Sequence, residues 1–196
     1  MYLKENLDYE TLEPTISDET LYVHYNKHYL NYLKNLNNLL GNTNYDKVYL
    51  AKNIDTIPLE KRNDVLYNLG GVLNHELYFK ILGGNGIPNG EILDKIKEDF
   101  GSFENFQKEL IEKSKKVVGS GYTFLVLKNN KLEIMLLSNQ ETPYSYGYTP
   151  IIALDLWEHA YYLDYLNNRN TYVENILKII DYNKVNEIYK KAKETN

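Results

Sequence analysis

The chain has 196 residues, of which 43% are hydrophobic and 25% charged, and its formal net charge is -5. A chain of this length buries enough apolar surface to fold without a disulfide or a structural metal. It contains no cysteine, so any metal must be held by histidine and carboxylate side chains. The acidic balance and the scattered lysines argue against nucleic acid as a partner.

The apolar runs of the chain are shorter than the roughly 20 residues that a membrane-spanning helix needs. Residues 1–8 alternate charged and apolar positions, whereas a signal peptide has a continuous apolar stretch. We therefore expect a cytoplasmic protein with no membrane partner.

Two long helices are predicted in the first half of the chain. Ser17 can cap a helix over residues 18–40, which Gly41 ends. After a polar linker, a second helical pattern runs from about residue 58 to residue 82. Two long helices joined by a short linker predict an antiparallel hairpin.

Residues 83–90 are rich in glycine, and we place a domain boundary at residue 86, which gives domains 1–85 and 86–196. Beyond it the pattern changes from helical to β-prone and back. The predicted elements are helices over 91–99, 103–118, 172–180 and 184–194, and strands over 122–127, 132–137 and 151–156, the first two strands being joined by a turn at Asn129-Asn130. The fold class is therefore α+β, with an N-terminal antiparallel helical hairpin followed by a C-terminal α/β domain with a three-stranded antiparallel sheet.

The chain has four histidines, and each lies in an otherwise apolar or aromatic stretch. His24 and His28 are four residues apart and share one face of the first predicted helix. His75 lies late in the second helix, where it can face the first, and His159 follows Asp155 where the third strand ends. Several neutral imidazoles and one carboxylate suit Mn, Fe or Zn. The spacing favours His24 and His28 as a ligand pair, but it leaves open which of the four histidines bind.

Two further features lie close to these histidines in the sequence. Gly70-Gly71 lies inside the second helix, where each glycine costs about 1 kcal/mol of helix stability relative to alanine. Gly71 is one turn before His75. The missing side chain makes room either for close helix packing or for another group. Gln140 follows the second strand and either points inward as a hydrogen-bonding amide or is solvated.

Four short blocks, in order along the chain, carry a resemblance to a known family. They are His24-Tyr25-Asn26-Lys27-His28 with Tyr32, Asn74-His75, Gly119-Ser120-Gly121-Tyr122, and Asp155-Leu156-Trp157-Glu158-His159-Ala160-Tyr161-Tyr162-Leu163-Asp164. From about Leu12 to Tyr172 the chain resembles the iron/manganese superoxide dismutases. The resemblance implies an enzyme that disproportionates superoxide to oxygen and hydrogen peroxide by redox cycling of one metal ion.

The resemblance also implies a role for each site residue. The implied metal ligands are His24, His75, Asp155 and His159, with solvent as the fifth ligand. His28 is then not a ligand, which overrules the pairing that spacing favours. Tyr32 is implied at the mouth of the substrate channel, where it and Gln140 relay protons.

The same resemblance bears on the choice of metal. In the iron-type enzymes an amide side chain comes from the position held here by Gly71, so glycine there together with Gln140 implies manganese, with iron as the alternative. The space beside Gly71 is then expected to be filled by the Gln140 amide.

The resemblance further implies a homodimer. Glu158 and Tyr162 resemble residues that contact the partner subunit's His159 and the partner subunit's His28, respectively. Trp157 either lines the site or packs beside it.

The chain departs from the family pattern in two respects. Phe79, Tyr122 and Phe124 replace tryptophans that usually surround the site. Asn168 replaces an arginine that usually helps to attract the anion, so we expect weaker electrostatic steering unless the adjacent Arg169 compensates.

Two other functions remain alternatives. One is a non-catalytic member of the same fold, although such a protein has no need of a complete ligand set. The other is a zinc hydrolase that uses His24, His28 and a carboxylate, although the chain has no His-Glu-x-x-His pattern.

Overall fold

The structure is a computed structural model that describes residues 1–41, 43 and 45–195. The main elements follow in chain order. They are α1 (Asp18–Val23), α2 (Leu30–Leu40), α3 (Lys47–Lys52), α4 (Leu59–Lys80), α5 (Gly90–Phe100), α6 (Phe103–Ser114), β1 (Gly121–Lys128), β2 (Lys131–Ser138), β3 (Thr149–Asp155), α7 (Tyr162–Tyr165), α8 (Arg169–Ile176) and α9 (Tyr182–Thr195). An N-terminal helical hairpin thus precedes an α/β part with an antiparallel sheet, which confirms the predicted fold class.

The first predicted helix forms, but a π-helical segment, His24–Tyr29, separates α1 from α2. At its end the Leu30 N–H donates to the Tyr25 carbonyl oxygen, five residues back instead of four. A π-helical turn holds more residues than an α-helical turn, and such segments are frequent at functional sites. The prediction of one uninterrupted α-helix over residues 18–40 is therefore wrong in this segment, which contains His24 and His28.

Helix α4 packs against α2 and completes the hairpin. The linker between them, predicted as irregular, contains α3. Asp46 caps α3 by accepting the Tyr49 N–H at 2.7 Å, and Leu50 and Ala51 are buried. Because α3 is only six residues long, it has too few turns to show a helical period in the sequence.

The sheet has the strand order β2-β1-β3, and both pairings are antiparallel. Asn129 and Asn130 adopt positive φ angles of 49° and 56°, as the predicted turn requires. In the register of the sheet, Tyr122 on β1 lies opposite Asp155, the last residue of β3. Strand β3 begins two residues before its predicted start, at Thr149, and ends one residue earlier than predicted.

Helix α6 ends four residues before its predicted end at residue 118. The Ser114 hydroxyl donates to the Leu110 carbonyl oxygen at 2.7 Å and lies 3.0 Å from the Thr123 hydroxyl oxygen, which fixes this end of the helix against β1. Toward the C-terminus, the helix predicted over 172–180 consists of α8 followed by a 3-10 turn, Leu177–Ile179.

The glycine-rich segment after α4 is hydrogen-bonded to residues near the C-terminus. The Gly84 N–H donates to the Ile179 carbonyl oxygen at 2.9 Å, and the Gly86 N–H donates to the Ile180 carbonyl oxygen at 3.0 Å. The boundary at residue 86 stays a prediction. Across the described residues, no helix has both the length and the hydropathy that crossing a membrane requires.

Candidate metal centre

Four side chains from separate parts of the fold meet around one carboxylate oxygen. His24 lies in the π-helical segment, His75 in α4, Asp155 at the end of β3, and His159 in the 3-10 turn that follows. The Nε2 atoms of the three histidines lie 3.1, 3.6 and 3.5 Å, respectively, from Asp155 Oδ2. The four candidate ligand atoms all lie within 4.8 Å of one another. This spacing matches a site for a single metal ion.

The hydrogen bonds of the histidines fit a metal in this position. His75 Nδ1 lies 2.6 Å from the Gly71 carbonyl oxygen and donates to it, so the Nε2 lone pair of His75 faces the cluster. Within the described part of the chain, Nε2 of His75 and Nε2 of His159 are buried and have no hydrogen-bond partner. Buried polar atoms without partners cost free energy, and a cation bound to both satisfies them.

The charge state of the cluster also suits a cation. Burial lowers the pKa of His24, and it lowers the pKa of His75 to about 3, so both imidazoles are neutral at physiological pH. Burial alone would raise the pKa of Asp155, but the interactions with His159 and His24 outweigh it and hold this pKa well below its usual value. Neutral imidazoles and one carboxylate are the donor set that Mn, Fe and Zn accept.

Both oxygens of the Asp155 carboxylate accept hydrogen bonds from the protein. The backbone N–H of Trp157 donates to Oδ1 at 2.9 Å, and the Tyr122 hydroxyl donates to Oδ2 at 2.9 Å. The carboxylate is therefore fixed in orientation by groups outside the histidine cluster.

His28 lies next to the cluster but outside it. Its ring stacks on that of His159, with centroids 4.0 Å apart and planes at 18°. Burial lowers the pKa of His28 to about 4, and His159 and His24 add to the effect. The structure therefore does not bring His24 and His28 together as a ligand pair, although they share one helix.

Tyr32 and Gln140 meet beside His75. Gln140 Nε2 donates to the Tyr32 hydroxyl oxygen at 3.2 Å, and both side chains are buried. The Tyr32 ring lies 5.3 Å from the His75 ring, measured between centroids. Burial, together with the interaction with Tyr67, raises the pKa of Tyr32.

Tyr67 is a residue that the sequence reasoning missed. Its ring centroid lies 5.8 Å from that of Tyr32, and the Tyr67 side chain is 44% exposed. A half-exposed tyrosine ring thus lies against the buried Tyr32 ring. One signal in the sequence could have found it. Tyr67 is four residues before Gly71 and eight before His75, so the three share one face of α4.

The two glycines of α4 make room for different groups. A Cβ atom at Gly71 would lie 2.6 Å from the Tyr32 ring, and one at Gly70 would lie 1.8 Å from the Gln140 carbonyl oxygen. The expectation that the Gln140 amide fills the space beside Gly71 is therefore wrong. The Tyr32 ring fills that space, and Gly70 lets the Gln140 backbone approach.

An aromatic wall surrounds the histidines. The Phe79 ring lies 4.9 Å from His24, and the Phe124 ring stacks on Tyr122 at 5.6 Å. Trp157 stacks on His159 at 5.4 Å and donates from Nε1 to a backbone carbonyl oxygen, that of Asn139, at 3.0 Å. Trp157 therefore lines the site directly.

Asn168 and Arg169 both have local partners. Asn168 caps α8 by accepting the Thr171 N–H at 3.2 Å. The Arg169 guanidinium donates to the carbonyl oxygens of Val117 and Gly119, just before β1. Arg169 therefore holds this loop, and its donors are directed at backbone rather than at an approaching anion.

The helical hairpin, the antiparallel sheet and the buried cluster of three histidines and one aspartate define a cysteine-free metal-binding protein of the α+β class. Two family models match the chain: "Iron/manganese superoxide dismutases, alpha-hairpin domain" over residues 3–83, and "Iron/manganese superoxide dismutases, C-terminal domain" over residues 88–188. The chain belongs to the iron/manganese superoxide dismutase family, which confirms the resemblance seen in the sequence. Its domains indicate an oxidoreductase, a superoxide dismutase.

The packing of Gly71 against Tyr32 can be tested with a double-mutant cycle. We expect Gly71→Ala to lower the free energy of unfolding by about 1–3 kcal/mol, because the added Cβ overpacks the Tyr32 ring. In a Tyr32→Ala background the same substitution should raise stability by up to about 1 kcal/mol, since alanine is the better helix former. Denaturant unfolding of all four proteins measures both values, and an equal loss in the two backgrounds would show that Tyr32 does not fill this space.

Proposed function

We propose that this superoxide dismutase holds one manganese ion per subunit between His24, His75, Asp155 and His159, with iron as the alternative metal. The convergence of three imidazole Nε2 atoms on one buried carboxylate oxygen carries this proposal. The two buried Nε2 atoms without partners support it further.

A bound manganese or iron ion supplies one-electron redox chemistry, by which one superoxide is oxidised to oxygen and a second, with two protons, is reduced to hydrogen peroxide. The protein has to supply those protons to a site closed by aromatic side chains. Gln140 and Tyr32 are hydrogen-bonded to each other beside His75, and Tyr67 extends the contact to solvent. We assign proton delivery to this set, with His28, which stacks on His159, as a further residue beside the cluster.

The preference for manganese rests on where the amide comes from. Gln140 brings its side chain in from the turn after β2, and the Tyr32 ring fills the space beside Gly71. A larger side chain at position 71 would displace Tyr32, so the amide of the iron-type arrangement does not fit this packing.

Reconstitution with single metals tests the proposed metal. We expect the natively expressed protein to contain manganese and the manganese-only sample to remove superoxide faster than the iron-only sample. Asp155→Asn should lose bound metal and activity, because it removes the one anionic donor of the cluster, whereas the exposed-site control Glu174→Gln should retain both.

Metal analysis and a superoxide-removal assay give the readouts of this experiment. Equal rates with both metals would contradict the manganese preference alone. Bound metal without activity in either form would favour the non-catalytic alternative, and activity retained with zinc, which has no redox chemistry, would contradict the proposed reaction.

We further propose that the enzyme is a cytoplasmic homodimer. Glu158 is the first residue of the 3-10 turn that carries His159, Tyr162 follows that turn, and both side chains are exposed in the single chain. Large apolar side chains close to them in sequence, Leu163 and Leu166, are 58% and 62% exposed. Covering such side chains is favourable, so this surface is suited to a second copy of the chain.

Light scattering at several protein concentrations tests the dimer. We expect the native protein to have twice the mass of one chain, and Tyr162→Ala to raise the dimer dissociation constant at least tenfold. Tyr49→Ala, which removes a similarly exposed tyrosine from α3, is the matched control and should leave the mass unchanged. A monomeric native protein at micromolar concentration would contradict the dimer.

This chain has Asn168 at a position where the family usually has an arginine. We therefore expect it to attract superoxide weakly. We expect Asn168→Arg to raise the rate of superoxide removal at low ionic strength, an effect that salt should abolish. The substitution also removes the cap of α8 and should therefore cost about 1 kcal/mol of stability.

Asn168→Ala separates the two effects, because it loses the cap without adding charge. Rates measured against ionic strength and thermal unfolding of the three proteins give the comparison. An Asn168→Arg rate and salt dependence equal to those of the native protein would show that charge at this position does not steer the anion.

A further inference from the structure

The Tyr122 hydroxyl lies inside the cluster of candidate ligands. Tyr122 is fully buried on the central strand, and its position in the register opposite Asp155 places the two side chains on the same face of the sheet. Its hydroxyl oxygen lies 2.9 Å from Asp155 Oδ2, the same oxygen that the three histidine Nε2 atoms surround.

The direction of this hydrogen bond is fixed by the neighbouring groups. A tyrosine hydroxyl has one proton to donate, and the carboxylate of Asp155 can only accept. The other nearby atom, His75 Nδ1, lies 3.4 Å away and already donates its proton to the Gly71 carbonyl oxygen. The Gln140 side chain also acts on the Tyr122 hydroxyl, where it lowers the pKa of Tyr122 against the larger, opposite effect of burial.

We propose that Tyr122 is a positioning residue that sets the reduction potential of the bound metal through its hydrogen bond to Asp155. This inference rests on the proposed metal site and extends it to a residue that is not a ligand. Donation to the ligand oxygen withdraws negative charge from it, which weakens its stabilisation of the more positive, oxidised metal. The hydroxyl therefore raises the reduction potential and favours the reduced state.

The same contact links the carboxylate with the proposed path for protons. Gln140 donates to the Tyr32 hydroxyl and also acts on the pKa of Tyr122, so one amide lies between the two tyrosines. Tyrosine at this position thus gives the ligand carboxylate a hydroxyl donor of its own, and Phe124, stacked beneath the Tyr122 ring, keeps that ring in place.

Redox titration of the metal-loaded Tyr122→Phe variant tests the inference. The substitution keeps the ring and its packing and removes only the hydroxyl. At equal applied potential we expect the oxidised-to-reduced ratio of the metal to rise about tenfold, which is a fall of about 59 mV for a one-electron couple. Metal content should equal that of the native protein, because all four proposed ligands remain.

Tyr172→Phe is the matched control. It also removes a fully buried tyrosine hydroxyl, but that hydroxyl pairs with Tyr78 and does not touch Asp155. We expect its potential to equal the native value. If Tyr122→Phe does not fold, Tyr122→Leu, which lacks the hydroxyl as well, serves in its place.

The outcomes separate this inference from the proposed function. A native protein that binds no manganese or iron, or shows no reversible couple, would overturn the proposed metal site. A native couple whose potential is the same in Tyr122→Phe, or shifts equally in Tyr172→Phe, would overturn the role of Tyr122 and leave the metal site intact.

Discussion

An ionised carboxylate at the end of β3, fully buried, is the constraint that the rest of the site satisfies. An isolated charge in the protein interior is strongly unfavourable, so Asp155 requires hydrogen bonds and a compensating positive group. Trp157 and Tyr122 supply donors to its two oxygens, and the three imidazoles direct their Nε2 atoms toward it. The arrangement fits a metal cation, which would neutralise the carboxylate and satisfy the histidine nitrogen atoms together.

The helices bring their side chains to Asp155 through two local irregularities, a π-helical segment and a pair of glycines. The π-helical segment His24–Tyr29 changes the direction of successive side chains, so that His24 faces the carboxylate while His28 stacks on His159. Two adjacent glycines in α4 remove side chains where Tyr32 and the turn after β2 must approach. These features cost helix stability and are compensated by close packing around the site.

Much of the fold could be predicted because its signals are local. Ser17 caps α1, and the Asn129-Asn130 turn sets the register of β1 and β2, as their side-chain chemistry predicts. The π-helical segment could not be predicted, since the sequence over it has an ordinary helical period. Helix α3 could not be predicted because its six residues make fewer than two turns, too short to show a helical period. The family resemblance, and not spacing, separated His28 from the implied ligands.

The parts of the site that escaped prediction depend on contacts between distant segments. The packing of α2 on α4 decides which group fills the space beside Gly71. The sequence of α4 alone does not identify that group as Tyr32. The bond from Tyr122 to Asp155 depends on the pairing of β1 with β3 across more than thirty residues. Such contacts follow from the completed fold and not from any one segment.

The hydrogen bonds between the segment after α4 and residues 179–181 give the end of the chain an unexpected importance. Gly84 and Gly86 donate to this stretch, and the Asp181 N–H donates back to Ile81 at 2.7 Å. A chain shortened just before this stretch would lose the backbone hydrogen-bond partners of the segment that follows the helix carrying His75. Removing these residues therefore acts on the helix that carries His75, although the two are about a hundred residues apart in sequence.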